Sequence, residues 1–369
     1  MILTCNQQEL LTAVSNVSRA VSSKSSIPAL EGILLKVTEE GLFLCGYDLE
    51  LGITTYVPAR ADEKGAVVFS AKLFSDIIRS LPEGVVTIEI DEKLLAVIRS
   101  GDSEFKIIGM AASEYPELPV VSEEDTVNLS RSLLKGMIRQ TIFAVATNDS
   151  KPVHMGTLFQ IGDGTIRLVA VDGFRLAMRT EAVDTSSLTE NLQFVVPGKT
   201  LGEVVKLISD NEEPLSIFVG RRHIAFKVDN YSVISRLLDG DFLNYKAAIP
   251  ANCATELTVP TRRFIEGVER MSLVINDRMK SPVRCRFEKN TLRLSCETAI
   301  GGASDRFAIE NNGDELEIGF SNRYLLDALR ASETDEVKIQ LNGALSPMKI
   351  VPKEGESFLF LVLPVRLKG

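Results

Sequence analysis

The chain has 369 residues, 45% of them hydrophobic, which is enough for a sizeable core and two or three domains, and no apolar run approaches the roughly 18 residues of a membrane span. A net charge of -9 means that the surface as a whole repels nucleic acid, so any contact with DNA or RNA has to be local. The five cysteines (Cys5, Cys45, Cys253, Cys285 and Cys296) are scattered and never spaced as CxxC; with no apolar signal core at the start, they argue against a disulfide frame or zinc site and for a soluble cytoplasmic protein with reduced thiols.

Taken in order, the chain repeats one cassette, a short apolar strand that runs into an amphipathic helix. The first copy is MILTCNQQELLTAV, and others begin near residues 66, 125, 191, 255 and 315. In the second copy, Ala66 to Phe69 suits a strand and Ser70 suits a helix N-cap. Leu73, Phe74, Ile77, Ile78 and Leu81 then recur on one helical face. Short strands follow each helix, such as Ile33 to Val37, Leu42 to Cys45 and Ile53 to Val57, or Val85 to Ile90, Leu94 to Ile98 and Phe105 to Ile108.

Two cassettes with their strands make one domain-sized unit. The proline- and acid-rich stretches EYPELPVVSEED (114 to 125) and NYKAAIPANCATE (244 to 256) read as seams, which predicts domains at 1–122, 123–251 and 252–369. Pro28, Pro152 and Pro282 each fall between a first helix and its following strand, in support of that division. Strands outnumber helices about four to one, so the expected class is α+β, with helices on one side of mainly antiparallel sheets. Sheet edges of this kind invite pairing with another copy of the chain. The closing run from Phe358 to Leu363 reads as a buried strand.

Signatures of catalysis are few. His154 and His223 are the only histidines and lie in no HExxH or paired-cysteine context, and neither a phosphate loop nor a GxGxxG motif is present. By itself VDGFRL (171 to 176) is a hairpin turn beside a basic residue. The predicted helices say more. Lys72, Asp76 and Arg79 share one face, as do Lys199, Glu203 and Lys206, and Arg323, Asp327 and Arg330. Arg131, Lys135 and Arg139 form a further basic stripe, and Arg262, Arg263 and Arg270 add cations to the fifth helix. Solvated faces laced with ion pairs are the plain reading. Against it, Lys72, Arg131, Lys199, Arg262 and Arg323 all fall in first helical turns, where the macrodipole disfavours a cation, and base-before-acid is the weaker order for a helix pair. A polyanion bound through sequence-blind phosphate contacts accounts for that choice.

IPALEGILL (27 to 35), YDLELGI (47 to 53), KLFSDIIRSLPEG (72 to 84), EYPELP (114 to 119), VAVDGFRLA (169 to 177) and LPVRL (363 to 367) carry a resemblance. Over essentially its whole length the chain resembles the bacterial DNA polymerase sliding clamp family, the beta subunit of DNA polymerase III. The resemblance implies a homodimer of three-domain subunits joined head to tail into a ring, helices inside and sheets outside. It implies no catalysis, no cofactor and no membrane. Its partners would be double-stranded DNA threaded through the hole, the replicative polymerase, the clamp loader and other proteins with a clamp-binding motif.

Carried over by position, Lys24, Asn148 and Lys151 match DNA-contacting loops, beside the helix cations Lys72, Arg79, Arg131, Lys135, Arg139, Lys199, Lys206, Arg263 and Arg323. The family's partner-peptide pocket maps to His154, Asp172, Gly173, Phe174, Arg175, Leu176, Leu243, Ala247, Ala248, Tyr324, Leu361, Leu363, Pro364, Val365 and Arg366. Such a pocket, an apolar floor with a few polar rim groups, would take an extended peptide with Leu or Phe anchors. The chain departs from the family pattern at Pro152-Val153, where some members carry paired aromatics, at His154, aliphatic in some members, and in the Lys368-Gly369 tail. Two other readings of the residues stay open, a protein-only repeat scaffold and an α+β enzyme with a cleft at Asp172 and Arg175.

Overall fold

A computed structural model describes the chain except for residues 124, 149–150, 276–280, 312 and 368–369. Its described residues form six α-helices: α1 (Gln7–Val17), α2 (Ala71–Ser80), α3 (Arg131–Ile142), α4 (Gly198–Leu207), α5 (Thr261–Ser272) and α6 (Asn322–Ala331). Each follows directly on a strand, so the six strand-helix cassettes read from the sequence are all present. The strands form four antiparallel sheets, and the class is α+β. None of the helices is long and apolar enough to cross a membrane.

Two compact units divide these elements. The first comprises Met1–Ser132 with Gly202–Leu237, the second Leu133–Leu201 with Leu238–Gly369. In the first unit a five-stranded sheet has the order Ala59–Ala61, Ile2–Asn6, Val85–Ile90, Leu95–Ser100, Ser103–Ile108. A nine-stranded sheet runs from Met110–Ala111 through Ala66–Ser70, Gly32–Thr38, Gly41–Tyr47 and Leu51–Val57. There it meets Tyr231–Arg236 and continues through His223–Val228 and Pro214–Val219 to Thr126–Ser130. Val233 opposite Ile53 and Ser235 opposite Leu51 set the register of that join.

The second unit has the same plan. Its nine-stranded sheet runs Leu192–Pro197, Gly156–Gly162, Thr165–Val171, Arg175–Ala182, then Phe358–Val362, Met348–Pro352, Glu336–Leu341, Thr255–Pro260 and Glu310–Asn311. Gly301–Ala308, Thr291–Thr298, Val283–Phe287 and Leu316–Phe320 form a four-stranded sheet. Leu176 opposite Leu361 fixes the central join. Each nine-stranded sheet thus fuses strands from both sides of a predicted seam, which is why the middle third of the chain is shared between the units.

Apolar spacing determines which helix faces are buried. In α1, Leu10, Val14 and Val17 are buried, and Asn6 caps the helix by accepting from the backbone N–H groups of Gln8 (2.9 Å) and Glu9 (3.2 Å). The approach behind α1 is close: a Cβ on Gly46 would lie 2.0 Å from the Val17 carbonyl oxygen, so only glycine fits there. At α2 the expectation is only partly met. Ser70 makes no side-chain capping bond, and Leu73, at the margin of the apolar stripe, is 49% exposed while Phe74 and Ile78 are fully buried. In the second unit Phe264 of α5 and Leu325 and Leu329 of α6 pack with Phe287, Leu294 and Phe360 into one core.

Phe264→Ala is expected to cost about 3–5 kcal/mol by leaving a cavity in that fully buried core. A lowered urea midpoint in equilibrium unfolding checks it.

Candidate DNA-facing cations and peptide-docking turn

Every helix except α1 lacks a carboxylate in its first turn. Lys72 of α2 is 90% exposed at its side chain and lies 3.1 Å from Asp76, which Arg79 also meets at 3.1 Å. In α4 Lys206 pairs with Glu203 at 2.8 Å, and Arg19 approaches the same carboxylate at 3.9 Å. Arg262 and Arg263 of α5 share Glu266, and Arg323 of α6 stands 4.0 Å from Asp327. Lys24, Arg139, Asn148, Lys151 and Lys199 are exposed as well. Surface ion pairs of this sort are worth about 0–1 kcal/mol each and leave a cation available to a competing anion.

Two of the expected cations are not on display. Arg131 is 6% exposed, its guanidinium held 2.8 Å from Glu213 and 2.6 Å from Asp229, and Lys135 is buried too. The basic stripe read along α3 therefore shrinks to Arg139, because a side chain held between two carboxylates has neither exposure nor net charge to offer.

The second unit builds the other expected site around a turn. Asp172 Oδ1 accepts from the backbone N–H groups of Phe174 (3.0 Å) and Arg175 (3.1 Å). Gly173 completes the turn with φ +84, a conformation that favours glycine. Arg175 is buried: its Nε donates to Asp172 at 2.8 Å and its Nη1 to Asp327 of α6 at 2.5 Å. The guanidinium stands 4.6 Å from the centre of the Tyr324 ring and 5.5 Å from that of Phe143. Phe174, 58% exposed, stacks on Tyr324 at 5.7 Å, and its carbonyl accepts from the Leu363 N–H at 2.9 Å.

Beside this turn lies an apolar floor. Val153, Leu176, Tyr245 and Leu361 are buried together, with Phe242 packed against them, and His154 meets Phe242 edge-on at 5.8 Å. Ala247 and Ala248 lie exposed on the short turn that begins at Tyr245. Over the floor, Leu243 (45%), Leu363 (38%) and Val365 (39%) keep much of their apolar surface in water. Pro364 is half-buried, Arg366 is exposed, and the Val365 N–H donates to the Gly319 carbonyl at 2.8 Å, which ties the closing segment down. Lys368 and Gly369 lie outside the described residues.

Sequence reading missed three contributors. Phe143 faces Arg175, and Phe242 sits beside the exposed Leu243 and could have been noticed in the apolar run DFLNY. Asp327 was assigned to the charge order of α6, yet its short bond goes to Arg175, 152 residues away, and no local pattern announces such a pair.

Four of the five cysteines are buried, and Cys253 is exposed. Burial pushes the Cys5 and Cys45 thiols up to about 12 and raises Cys285 and Cys296 as well, so these stay protonated near neutral pH. His223 is held below its ordinary value by burial and by Arg236 and Arg222. Among the described residues no group of three or more His, Cys, Asp or Glu side chains could hold a metal ion.

Comparison with known proteins meets this fold over its full length. Family models for the DNA polymerase III beta subunit match in series, the N-terminal domain at residues 1–119, the central domain at 128–244 and the C-terminal domain at 246–366. The beta sliding clamp of Bacillus subtilis (strain 168) is 33% identical, with 99% of this chain and 100% of that protein covered. That of Halalkalibacterium halodurans is 35% identical, with 96% of each covered. Among solved structures, the DNA polymerase sliding clamp from Bacillus subtilis superposes with a TM-score of 0.96 at 32% identity over 100% of both chains. The beta subunit from DNA polymerase of Streptococcus pyogenes gives 0.94 at 27% identity, also over 100% of both chains. The architecture is that of a three-domain clamp. The chain belongs to the DNA polymerase III beta subunit family.

Arg175→Met keeps the bulk of the buried side chain but strands the carboxylates of Asp172 and Asp327. A loss of about 3–5 kcal/mol in urea-unfolding free energy is expected, the usual cost of removing one partner of a buried pair.

Proposed function

We propose that the chain is a non-catalytic processivity subunit. Two copies close head to tail into a ring around duplex DNA, the helices facing the hole and the sheets forming the outer wall, and the ring tethers the replicative polymerase after a clamp loader has opened it. The protein works in the cytoplasm and is organised in domains 1–122, 123–251 and 252–369. Its full-length membership of the beta subunit family carries this reading.

Two features of the chain support it. Four helices carry an exposed cation in the first turn (Lys72, Lys199, Arg262 and Arg323) where helix stability alone would favour a carboxylate, which suits a polyanion met through phosphates. Lys24, Lys72, Arg79, Arg139, Asn148, Lys151, Lys199, Lys206, Arg263 and Arg323 are exposed to do so. Arg131 and Lys135 are better read as supports for α3 than as DNA contacts, since both are buried.

Ring closure also has its edges. Ser103–Ile108 ends the five-stranded sheet and Gly301–Ala308 ends the four-stranded one, and Gly301–Ala308, at eight residues, is the longest of the sheet-ending strands among the described residues. Ile108 (79%) on the first of these strands, Ile300 (70%) just before the second and Leu273 (83%) at the end of α5 are strongly exposed, apolar surface that a second copy would cover. The turn at Asp172–Arg175 with its apolar floor would receive extended peptides from the polymerase, the loader and other clamp-binding proteins. Its backbone is fixed by Asp172 and its anchors are met by Leu176, Leu361 and Leu363. A hydrolytic or redox role at Asp172 and Arg175 is disfavoured because both side chains are spent on each other and on Asp327.

Charge reversal of Lys72, Lys199 and Arg323 to Glu together is expected to shorten retention on nicked circular DNA several-fold and to flatten its salt dependence. Retention is read by gel filtration after loading with the loader and ATP; the unaltered ring should stay on the circle and leave a linearised one. An unchanged salt slope would count against the helix assignment.

Leu273→Asp is expected to convert the dimer to monomer at micromolar concentration, by placing a charge where the second copy would bury an apolar side chain. Sedimentation velocity reads the change directly.

A further inference from the structure

The docking turn of the second unit has a counterpart in the first. Asp48 Oδ1 accepts from the backbone N–H groups of Glu50 (3.0 Å) and Leu51 (2.7 Å), as Asp172 does from Phe174 and Arg175. Leu49 has φ +75 where Gly173 has +84. Beyond the turn, the Arg236 N–H donates to the Glu50 carbonyl at 2.8 Å, just as Leu363 donates to that of Phe174 at 2.9 Å. Each turn opens a strand at the central join of a nine-stranded sheet, Leu51–Val57 on Tyr231–Arg236 in one unit and Arg175–Ala182 on Phe358–Val362 in the other. Each unit also buries a tyrosine from the segment that crosses the sheet. Tyr115 donates to the Cys45 carbonyl at 3.2 Å and Tyr245 to the Gln160 side chain at 2.7 Å.

The fillings differ. Three residues after its tyrosine, the second unit has the small, exposed Ala248, whereas the first has Leu118. Gly52 stands at the position of Leu176 in the floor, and a Cβ placed on it would lie 2.9 Å from Leu118 Cδ2 and 3.3 Å from the Tyr47 ring. Leu118 therefore takes up the space that a floor side chain would need. Tyr47, in the position of Val171, is 6% exposed and closes the place from the sheet side. Leu118 is also one wall of a cleft of about 900 Å³, lined further by Phe43, Tyr56, Tyr115 and Ile234.

We propose that this is a second peptide-docking site, closed in cis by Leu118 acting as the anchor residue of the chain's own segment Tyr115–Leu118, with Tyr47 completing the seal. The ligand class is the one proposed for the second unit, an extended peptide with Leu or Phe anchors, and to that extent the inference rests on the docking reading above. In the resting protein the first site is occupied by its own chain, so one peptide binds per subunit.

Titration calorimetry of the full-length protein with the peptide Ser-Leu-Ser-Leu-Phe tests this. The unaltered chain is expected to bind one peptide per subunit, Y47V/L118A two, and Y47V/L118A/L363D again one, held in the first unit. If Y47V/L118A keeps its circular dichroism spectrum and still binds one, the cis closure is overturned while the docking reading stands. If the unaltered chain binds none and Y47V/L118A binds one, the docking reading fails and the cis closure holds; no binding by either overturns both. Should the double variant fail to fold, Leu118→Ala alone carries the same comparison, because Leu118 is only partly buried.

Discussion

Backbone pairing at two joins is the constraint on which this structure depends. Leu51–Val57 with Tyr231–Arg236, and Arg175–Ala182 with Phe358–Val362, bring together segments about 180 residues apart along the chain. Without these ladders each nine-stranded sheet would split into two, leaving rows of unpaired N–H and C=O groups on strands whose side chains are mostly buried. The joins also place the two Asp turns. Asp172 turns the chain at the mouth of one join and Asp48 at the mouth of the other, so the same hydrogen-bond ladder that fuses the sheet holds the turn rigid.

Much of this was legible in the residues because it is written in local periodicity. The alternation and the 3.6-residue spacing gave six cassettes, and each cassette proved to be a strand feeding a helix. The same logic failed where a neighbour from far along the chain decides the outcome. Ser70 is a good N-cap by type but makes no side-chain capping bond. Arg131 and Lys135 read as a solvent-facing stripe by spacing alone, yet Glu213 and Asp229 come from other parts of the chain to bury and neutralise Arg131. Which strands meet at the joins was not readable at all, since an edge strand has no mark that names its partner.

The docking turn shows the boundary between the two kinds of information. VDGFRL signals a tight turn by its Asp-Gly step, and the turn is there. What sets it apart from a bare hairpin tip, on the proposed reading, is the burial of Arg175 against Asp327, Tyr324 and Phe143, with Phe174 left outside and stacked on Tyr324. Arg175 thus holds the backbone of the rim in place and is not available to a ligand as a charge. On the proposed docking reading, recognition at this turn would come from shape and apolar contact, which fits the exposed Leu243, Leu363 and Val365 around it.

The pairing of the helix cations bears on how such a protein would hold DNA while moving along it. Lys72, Lys206 and Arg262 each have a carboxylate three or four residues away on the same helix, whereas the Asp327 that lies 4.0 Å from Arg323 is already bonded to Arg175. Two exposed charges at 4 Å attract by only about 1 kcal/mol in water, so a DNA phosphate that displaces the carboxylate gains little more than it gives up. Each contact is then close to neutral and quickly exchanged, and the sum over a ring of helices supplies counterion release without a deep well at any one register. Unpaired lysines in the same places would bind more tightly and grip. On the proposed reading, the acid paired with each of Lys72, Lys206 and Arg262 keeps the attachment topological rather than adhesive.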